Sequence, residues 1–278
     1  MSMTAENLIQ INQDKCTQCG LCVKVCRGTL DMGEHGPEVI DDFCIACGHC
    51  VAACPNGALD HRQAPLEKQV LLKEMPIQDA NTAARFLRSR RSVRSFQKKR
   101  VPRETIHELL DIAHFAPTAC NSQGVSYLVV DDAVTLKEIA AAVADWAEED
   151  LRYGALGKSP WSKNTANTIR CYHENGRDTI LRDAPCLIIA MAQKERFALG
   201  RDNTHFALTY AQLYAPALAL GTCWSGLFEY CAAAGYEPLL QLLQLPQSKS
   251  VTGALLVGYP SYTFKRLVDR EPLQVSWQ

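Results

Sequence analysis

The sequence carries almost no net charge and no long apolar run. Its 278 residues include 29 Lys and Arg against 30 Asp and Glu, a formal net charge of −1. That balance gives no electrostatic reason to expect nucleic acid or an anionic membrane as the main partner. No stretch approaches the roughly 20 apolar residues that a membrane-spanning helix needs, and the first ten residues lack the pattern of a secretory signal. We therefore expect a cytoplasmic protein with no nucleic-acid or membrane partner.

The charges are nevertheless unevenly distributed along the chain. Residues 1–60 lean acidic, whereas residues 85–103 contain nine Lys and Arg and no acid. An anion is expected near this basic stretch. The alternative is a solvated basic helix face, and for residues 98–100 that alternative is favoured.

Cysteine is scarce outside residues 16–54, where eight of the 13 cysteines form two runs with the same spacing. The first run is Cys16, Cys19, Cys22 and Cys26, and the second is Cys44, Cys47, Cys50 and Cys54. In a reducing compartment, clustered cysteines are more often metal ligands than disulfides.

The second run ends in Cys54 and Pro55 and so completes a pattern that resembles the bacterial two-cluster ferredoxins. The resemblance implies two [4Fe-4S] clusters, with the fourth cysteine of each run bound to the other cluster. One cluster would be held by Cys16, Cys19, Cys22 and Cys54, and the other by Cys44, Cys47, Cys50 and Cys26. The alternatives are two zinc sites, which normally pair two C-x2-C units across a longer gap, or a disulfide framework, which conflicts with the compartment.

The length of the chain favours two unequal domains. The clustered cysteines stop at Cys54, and Pro65 and Pro76 punctuate a polar run. We expect a ferredoxin-like domain at 1–60, a linker at 61–80 and a larger domain at 81–278. A 60-residue cluster domain has little core of its own, so the clusters would stabilise it as well as carry electrons.

The larger domain alternates helical and strand patterns. Helices are predicted at 82–89 and from Pro102 onward, and a long apolar helix at 206–220, with Pro216 at a kink or a late turn. Strands are predicted at 125–130, 186–192 and 253–260, which are continuous apolar runs.

Four stretches of this domain resemble the FMN-dependent nitroreductase family, in the family's order. They are RRSVR (90–94), APTACNSQ (116–123), LGTCWSG (220–226) and GYP (258–260), the last followed by three basic residues. Together they are more specific than any one of them, because a basic pentapeptide or a glycine-rich turn is common by itself. Guanidinium groups fork onto phosphate oxygens, so RRSVR is the expected phosphate site.

The resemblance also implies which residues bind FMN, with Asn121 beside the flavin ring and Arg266 and Arg270 favoured for the phosphate. The full set is Arg90, Arg91, Ser92, Arg94, Asn121, Gln123, Thr222, Cys223, Trp224, Gly226, Lys265, Arg266 and Arg270. The element from Arg182 to Pro185 also resembles the family and is interpreted as structural. No catalytic acid or base is named, because in this family the flavin itself reacts with the acceptor.

Residues 146–180 are polar and aromatic with little regular periodicity. We expect this segment to form a lid over the flavin. Trp161, Lys163, Tyr172 and His173 are candidate substrate contacts, and ordinary surface is the alternative for each.

The two resemblances together imply a ferredoxin–nitroreductase fusion. The expected fold is α+β, a two-cluster domain followed by a mixed sheet flanked by helices, assembled as a homodimer with FMN at the subunit boundary. An external low-potential donor would reduce the clusters, the clusters would reduce FMN, and FMN would reduce a nitroaromatic or other conjugated small molecule. Electron transfer to a partner protein, reductive dehalogenation and flavin fragmentation are alternatives. No dinucleotide-binding fingerprint is present, and direct use of NAD(P)H stays open.

Overall fold

A computed structural model of the chain describes residues 5–26, 28–72 and 79–278. The chain divides into two compact units, one comprising Met1–Gln78 with Cys120–Ser122 and the other Asp79–Ala119 with Gln123–Gln278. Residues 73–78 of the expected 61–80 linker lie outside the described residues. Among the described helices, none is both long enough and apolar enough to span a bilayer.

The first unit consists of short elements around two strand pairs. Its helices and strands are α1 (Ala5–Leu8), β1 (Ile9–Ile11), α2 (Leu21–Val25), β2 (Leu30–Gly33), β3 (Gly36–Val39), α3 (His49–Ala52) and β4 (Leu59–His61). β1 pairs antiparallel with β4, so that Ile9 lies opposite His61, and β2 pairs antiparallel with β3. The core of this unit is small and includes the sulfurs of Cys22 and Cys50 beside Leu8, Leu30, Val51 and Leu59.

Helices α2 and α3 begin in the same way. Each follows a glycine in the left-handed region, Gly20 with φ 70° and Gly48 with φ 71°. Each of these glycines follows the second cysteine of its run. A side chain with a Cβ adopts that conformation at a cost, so the two cysteine loops share one backbone requirement that glycine meets.

The second unit is built on a four-stranded sheet. Its strands are β5 (Ser126–Val130), β6 (Cys186–Gln193), β7 (Gly221–Trp224) and β8 (Lys249–Gly258), in the order β5-β6-β8-β7, and neighbouring strands are antiparallel. The sheet is mixed because Ser92 forms a parallel bridge with Thr222 at the β7 edge. The predicted α+β class is confirmed.

The sheet is buried on both faces, which explains its continuous apolar strands. Along β6, Leu187, Ile189 and Met191 belong to one core cluster, whereas Cys186, Ile188 and Ala190 belong to the other. This alternation follows from the two-residue period of a strand. The helices around the sheet are α4 (Ala80–Ser89), α5 (Arg103–His114), α6 (Ala133–Tyr153), α7 (Ala155–Lys158), α8 (Ser162–Asn175), α9 (Phe197–Tyr214), α10 (Gly226–Ala233) and α11 (Glu237–Leu243). Helices α5 and α9 supply the second cluster, and α6, α10 and α11 the first.

One predicted helix differs from the structure in its bounds. The helix expected at 206–220 begins earlier, at Phe197, and ends at Tyr214; Pro216 lies in a 3-10 turn after it, as predicted. Most of residues 146–180, whose sequence shows little regular periodicity, lie in α6, α7 and α8. The weak pattern has a physical reason: α8 buries only Ile169 among its residues, with Tyr172 partly buried three positions later, so its apolar face is narrow.

Candidate functional site

Three neighbouring cysteines and one that is distant in sequence line one cavity of the first unit. They are Cys16, Cys19, Cys22 and Cys54, the set implied for one cluster. The rest of the lining combines small or apolar residues such as Gly20, Pro37 and Leu59 with the polar residues Thr17, Gln18 and Asn56. The structure thus brings the last cysteine of the second run to the first three cysteines of the first run.

The second set also lies together. The pKa of the Cys50 thiol is raised to about 11, mainly by burial and in part by the nearby Cys26, Cys47 and Cys44. These are the four cysteines implied for the other cluster. The exchange of the fourth cysteine is therefore reciprocal, because Cys26 of the first run lies with the second set.

The arrangement fits a cluster better than a single metal ion. Within the part of the chain that the structure describes, no three His, Cys, Asp or Glu side chains converge as ligands of one ion. A cubane binds its four cysteines through different irons, so its ligands surround a volume instead of a point. All 13 cysteines are free thiols, which disfavours the disulfide alternative.

Backbone N–H groups point at the sulfurs in both loops. Gln18 N lies 3.4 Å from Cys16 Sγ, and Ala46 N lies 3.4 Å from Cys44 Sγ. Gln18 and Ala46 adopt positive φ angles of 53° and 54°, which turn these N–H groups inward. Donors aimed at sulfur stabilise thiolate charge, so the loops are suited to thiolate ligands.

In the second unit, the RRSVR stretch runs beside β7. Val93 N donates to Thr222 O at 2.8 Å. A Cβ on Gly221 would lie 2.6 Å from a methyl group of Val93, so the close approach of the two segments requires glycine there. This contact fixes the basic stretch against the LGTCWSG segment.

The basic residues of RRSVR divide between two sides of the segment. Burial raises the pKa of the Cys223 thiol, and the nearby charges of Arg94, Arg182 and Arg90 oppose that shift. Arg91, in contrast, lines a different cavity with Val93 and Thr222, and its guanidinium lies 5.0 Å from the ring centroid of Phe264. Successive side chains of an extended segment point to opposite sides, which accounts for the division. Arg182 was missed as a site residue, although its element was recognised.

A cleft of about 560 Å³ lies where β7 leads into α10. Its lining includes Arg182, Trp224, Ser225 and Gly226. Residues of α7 and α8, such as Thr165, and Trp161 just before α8 also line it. A Cβ on Gly226 would meet no atom within 4 Å, so the glycine borders open space. Ser225 Oγ is buried and has no hydrogen-bond partner among the described residues. The cleft therefore offers a planar ligand an open glycine edge and one free hydroxyl.

Two side chains support the cleft from behind. The rings of His205 and Trp224 meet edge to face with centroids 5.1 Å apart. Glu229 Oε1 accepts a hydrogen bond from Ala254 N at 3.0 Å, and Ser225 N donates to Ala254 O at 2.9 Å. Glu229 thus joins α10 to β8 directly beneath the cleft. A lone acid in the apolar stretch GLFEYCAA was the sequence signal for it.

Other predicted site residues lie elsewhere. Asn121 lies in the Cys120–Ser122 turn, which groups with the first unit, and Gln123 N donates to Thr118 Oγ1 at 3.0 Å. Neither Asn121 nor Gln123 lines the cleft. The tail cations Lys265, Arg266 and Arg270 are exposed beyond the last strand.

Of the four candidate substrate contacts in the predicted lid, only Trp161 lines the cleft. Trp161 lines the cleft, whereas His173 lies 3.6 Å from a carboxylate oxygen of Glu148 and Tyr172 packs against the core. Lys163 does not line the cleft.

Part of the basic stretch is already paired. Arg100 and Arg103 each lie 2.9 Å from Asp131, and Lys99 lies 4.3 Å from the ring centroid of Tyr259. These cations are less available to an external anion than Arg90 and Arg94.

The carboxyl of Glu229 should make the stability of the second unit depend on pH. Burial raises its pKa from 4.5 to about 7. Between these values the carboxyl is protonated in the folded chain and ionised in the unfolded chain. The contribution of Glu229 to the free energy of unfolding is therefore fully present below pH 4.5 and is lost as pH rises through 7. In E229Q, which keeps the acceptor for Ala254 N–H, stability relative to the natural chain should rise by up to about 3 kcal/mol over this range.

Denaturant unfolding followed by tryptophan fluorescence measures this difference, since all four tryptophans belong to the second unit. Parallel stability profiles of the two chains from pH 4.5 to about 8 would contradict the assignment.

The comparisons with known proteins agree with both units. Residues 87–259 match the nitroreductase family, and residues 8–55 match the 4Fe-4S dicluster domain. The chain is 26% identical over 194 residues to a protein named NADH dehydrogenase from Thermus thermophilus, covering 67% of this chain and 89% of that protein. It is 27% identical over 180 residues to iodotyrosine deiodinase 1 of Mus musculus, covering 63% and 61%.

The fold has solved counterparts. A nitroreductase with bound FMN from Desulfitobacterium hafniense DCB-2 superimposes with a TM-score of 0.56 and 18% identity, covering 71% of this chain and all of that one. The likeness shows the fold. The family match spans more than half of the 278 residues, so the chain is an oxidoreductase of the nitroreductase family that carries a 4Fe-4S dicluster domain at its N-terminal side.

Proposed function

We propose that this chain passes single electrons through two [4Fe-4S] clusters to FMN and thereby reduces a nitroaromatic or other conjugated, electron-poor small molecule. The observation that carries the proposal is that one chain holds both a pair of reciprocal cysteine quartets and a cleft lined by Arg182, which lies with Arg90 and Arg94 near Cys223. An external low-potential protein or small molecule supplies the electrons.

The cysteines hold the clusters in this proposal, each set drawing one ligand from the other run. The short spacing in each run lets three thiolates come from one tight loop, and the inward N–H groups of Gln18 and Ala46 stabilise their charge. The loops also exclude water from the buried Cys22 and Cys50. These residues bind and shield the clusters and transfer no protons.

The cleft fits FMN in three respects. Arg90, Arg94 and Arg182 lie near Cys223 and provide positive charge for a phosphate. The open space at Gly226 admits a flat ring, and Ser225 Oγ is a buried hydroxyl that a polar ring edge would satisfy. FMN bound there would accept electrons singly and deliver them in pairs to an acceptor.

The outer wall of the cleft favours a planar acceptor. Trp161 and Tyr230 line it and are 69% and 61% exposed, so each offers an uncovered aromatic face. Asn164, Thr165 and Thr168 add polar groups along α8. Stacking on the rings with hydrogen bonds from α8 suits a conjugated ring that carries polar substituents. In this arrangement α7 and α8 act as the lid.

We also propose a homodimer, as the family resemblance implies. The tail beyond the last strand exposes large apolar side chains, with Leu273 87% and Trp277 90% exposed, and a partner subunit would cover them. Sedimentation of the purified protein should give twice the chain mass of 30.8 kDa, and a monomer at micromolar concentration would refute this part.

Reductive dehalogenation is the second candidate, because the chain is similar over 180 residues to an iodotyrosine deiodinase. The class of acceptor that is reduced fastest distinguishes reductive dehalogenation from the proposed function. Protein purified without oxygen should contain iron, sulfide and FMN. With reduced ferredoxin or dithionite as donor, it should turn over nitroaromatics, enones or quinones faster than halophenols. The reverse order favours dehalogenation, and turnover only with a protein acceptor favours an electron carrier.

Cysteine pairs should reveal the reciprocal ligation. Each of C54S and C26S should lose about half of the iron, because each removes one ligand of one cluster. The pair C16S/C54S should lose no more iron than C54S alone, whereas C44S/C54S should lose nearly all of it. Iron analysis of anaerobic protein measures this, with C171S, in α8, as the control that keeps full iron. The opposite pattern for the two pairs would show that each run holds its own cluster.

The division of the arginines predicts different effects on FMN binding. R94A should raise the FMN dissociation constant roughly tenfold or more, since a charge-assisted hydrogen bond is lost. R91A should change it less than about threefold, because Arg91 lies in the separate cavity against Phe264. Flavin fluorescence during titration of flavin-free protein gives both constants. Equal losses in the two variants would show that the cofactor phosphate is not on the Cys223 side.

A further inference from the structure

A buried histidine contacts one of the cluster cysteines. His61 is the last residue of β4 and is 1% exposed. Its Nε2 atom lies 3.6 Å from Cys44 Sγ, within hydrogen-bonding range for sulfur. Neither the cysteine pattern nor the family resemblance singles out this residue.

The other ring nitrogen decides which way this hydrogen bond runs. Gln63 N lies 3.1 Å from His61 Nδ1 and, as a backbone N–H, can only donate. Nδ1 is therefore the acceptor and carries no proton. A neutral imidazole then has its single proton on Nε2, so Nε2–H donates to the sulfur of Cys44.

The ring is held in this orientation by its surroundings. Asp60 Oδ1 accepts from His61 N at 2.7 Å and from Leu66 N at 2.8 Å, which fixes the turn after β4. On the other side, His61 is paired with Ile9 of β1. A buried ring between a strand partner and a fixed turn has little freedom to leave the sulfur.

The other half of the ferredoxin-like unit has no such donor at the matching position. Cys44 follows Cys16 by 28 positions, and 28 positions before His61 stands Gly33, at the end of β2. β2 pairs with β3 as β4 pairs with β1, so the two positions correspond in the fold. The backbone donors to Cys16 and Cys44 are both at 3.4 Å, and Ala58 N also donates to Cys54 Sγ at 3.2 Å on the Cys16 side. The imidazole is thus a side-chain donor particular to the Cys44 side.

We infer that His61 is a positioning residue that donates a hydrogen bond to Cys44 Sγ and raises the reduction potential of the cluster held by Cys44. This rests on the proposed function, in which both clusters are present. Reduction adds one electron to the cluster, supplied by the external donor, and breaks no bond. The added negative charge is shared by the sulfurs, and a donor to sulfur stabilises it.

Two variants separate the functions of the ring nitrogens. His61→Asn places an oxygen near the position of Nδ1, keeps the acceptor for Gln63 N–H and is too short to reach Cys44. His61→Gln places an amide N–H near the position of Nε2 and keeps a donor to the sulfur. In an EPR-monitored redox titration of the full chain, H61N should lower one of the two cluster potentials, shifting its reduction equilibrium roughly fivefold, as expected for one net hydrogen bond. H61Q should stay close to the natural value.

The control is H35N, which removes an exposed imidazole between β2 and β3 and should leave both potentials unchanged. A second measurement needs no variant. In protein labelled with 15N-histidine, pulsed EPR of the reduced natural chain should show one histidine nitrogen coupled to one cluster.

The outcomes distinguish the inference from the function beneath it. Iron-loaded H61N with unchanged potentials, an equal shift in H61Q, or no histidine coupling overturns the inference alone. A natural chain that holds no iron and sulfide when prepared without oxygen overturns the proposed function and the inference with it.

Discussion

The first unit depends on bringing sulfurs from distant positions into one cavity. Cys54 must reach Cys16, Cys19 and Cys22, and Cys26 must reach Cys50, which closes loops of some tens of residues in a domain with a small core. Loop closure costs conformational entropy, and few apolar side chains are available to offset it. Iron–sulfur bonds supply the missing stabilisation in our account. The same iron–sulfur bonds would then both bind the electron-carrying clusters and stabilise the fold of the first unit.

The second unit meets a different constraint, a close contact between two segments at a sheet edge. Residues 92 and 93 pair with Thr222, and Gly221 leaves the space that Val93 occupies. Because this contact is tight, the arginines of the first segment are carried to a fixed distance from Cys223 and the cleft beyond it. Glu229 and Ser225 then tie the start of α10 to Ala254. Backbone contacts thus position both the arginines and the start of α10 at the cleft. The side chains that line the cleft take no part in these contacts.

The sequence was most informative where chemistry requires a fixed spacing. The resemblance of the cysteine runs to two-cluster ferredoxins implied the quartets. The apolar runs predicted β6 and β8, since a strand buried on both faces has no polar alternation. It was least informative where the role of a residue depends on which side of a segment its side chain faces. Nothing in RRSVR tells which arginines face Cys223 until the segment is known to be extended. The tautomer of His61 depends on a turn two residues later, and α8 has too few buried residues to reveal its period.

The central claim is that electrons reach the flavin through the clusters. Rapid anaerobic mixing of the oxidised, cofactor-loaded protein with a reduced one-electron donor tests it directly, with cluster and flavin absorbance followed together. Our account predicts that the cluster absorbance falls first and that flavin bleaching follows at a rate independent of donor concentration. Flavin bleaching at a rate proportional to donor concentration, and equally fast in a chain that lacks Cys26 and Cys54, would contradict it.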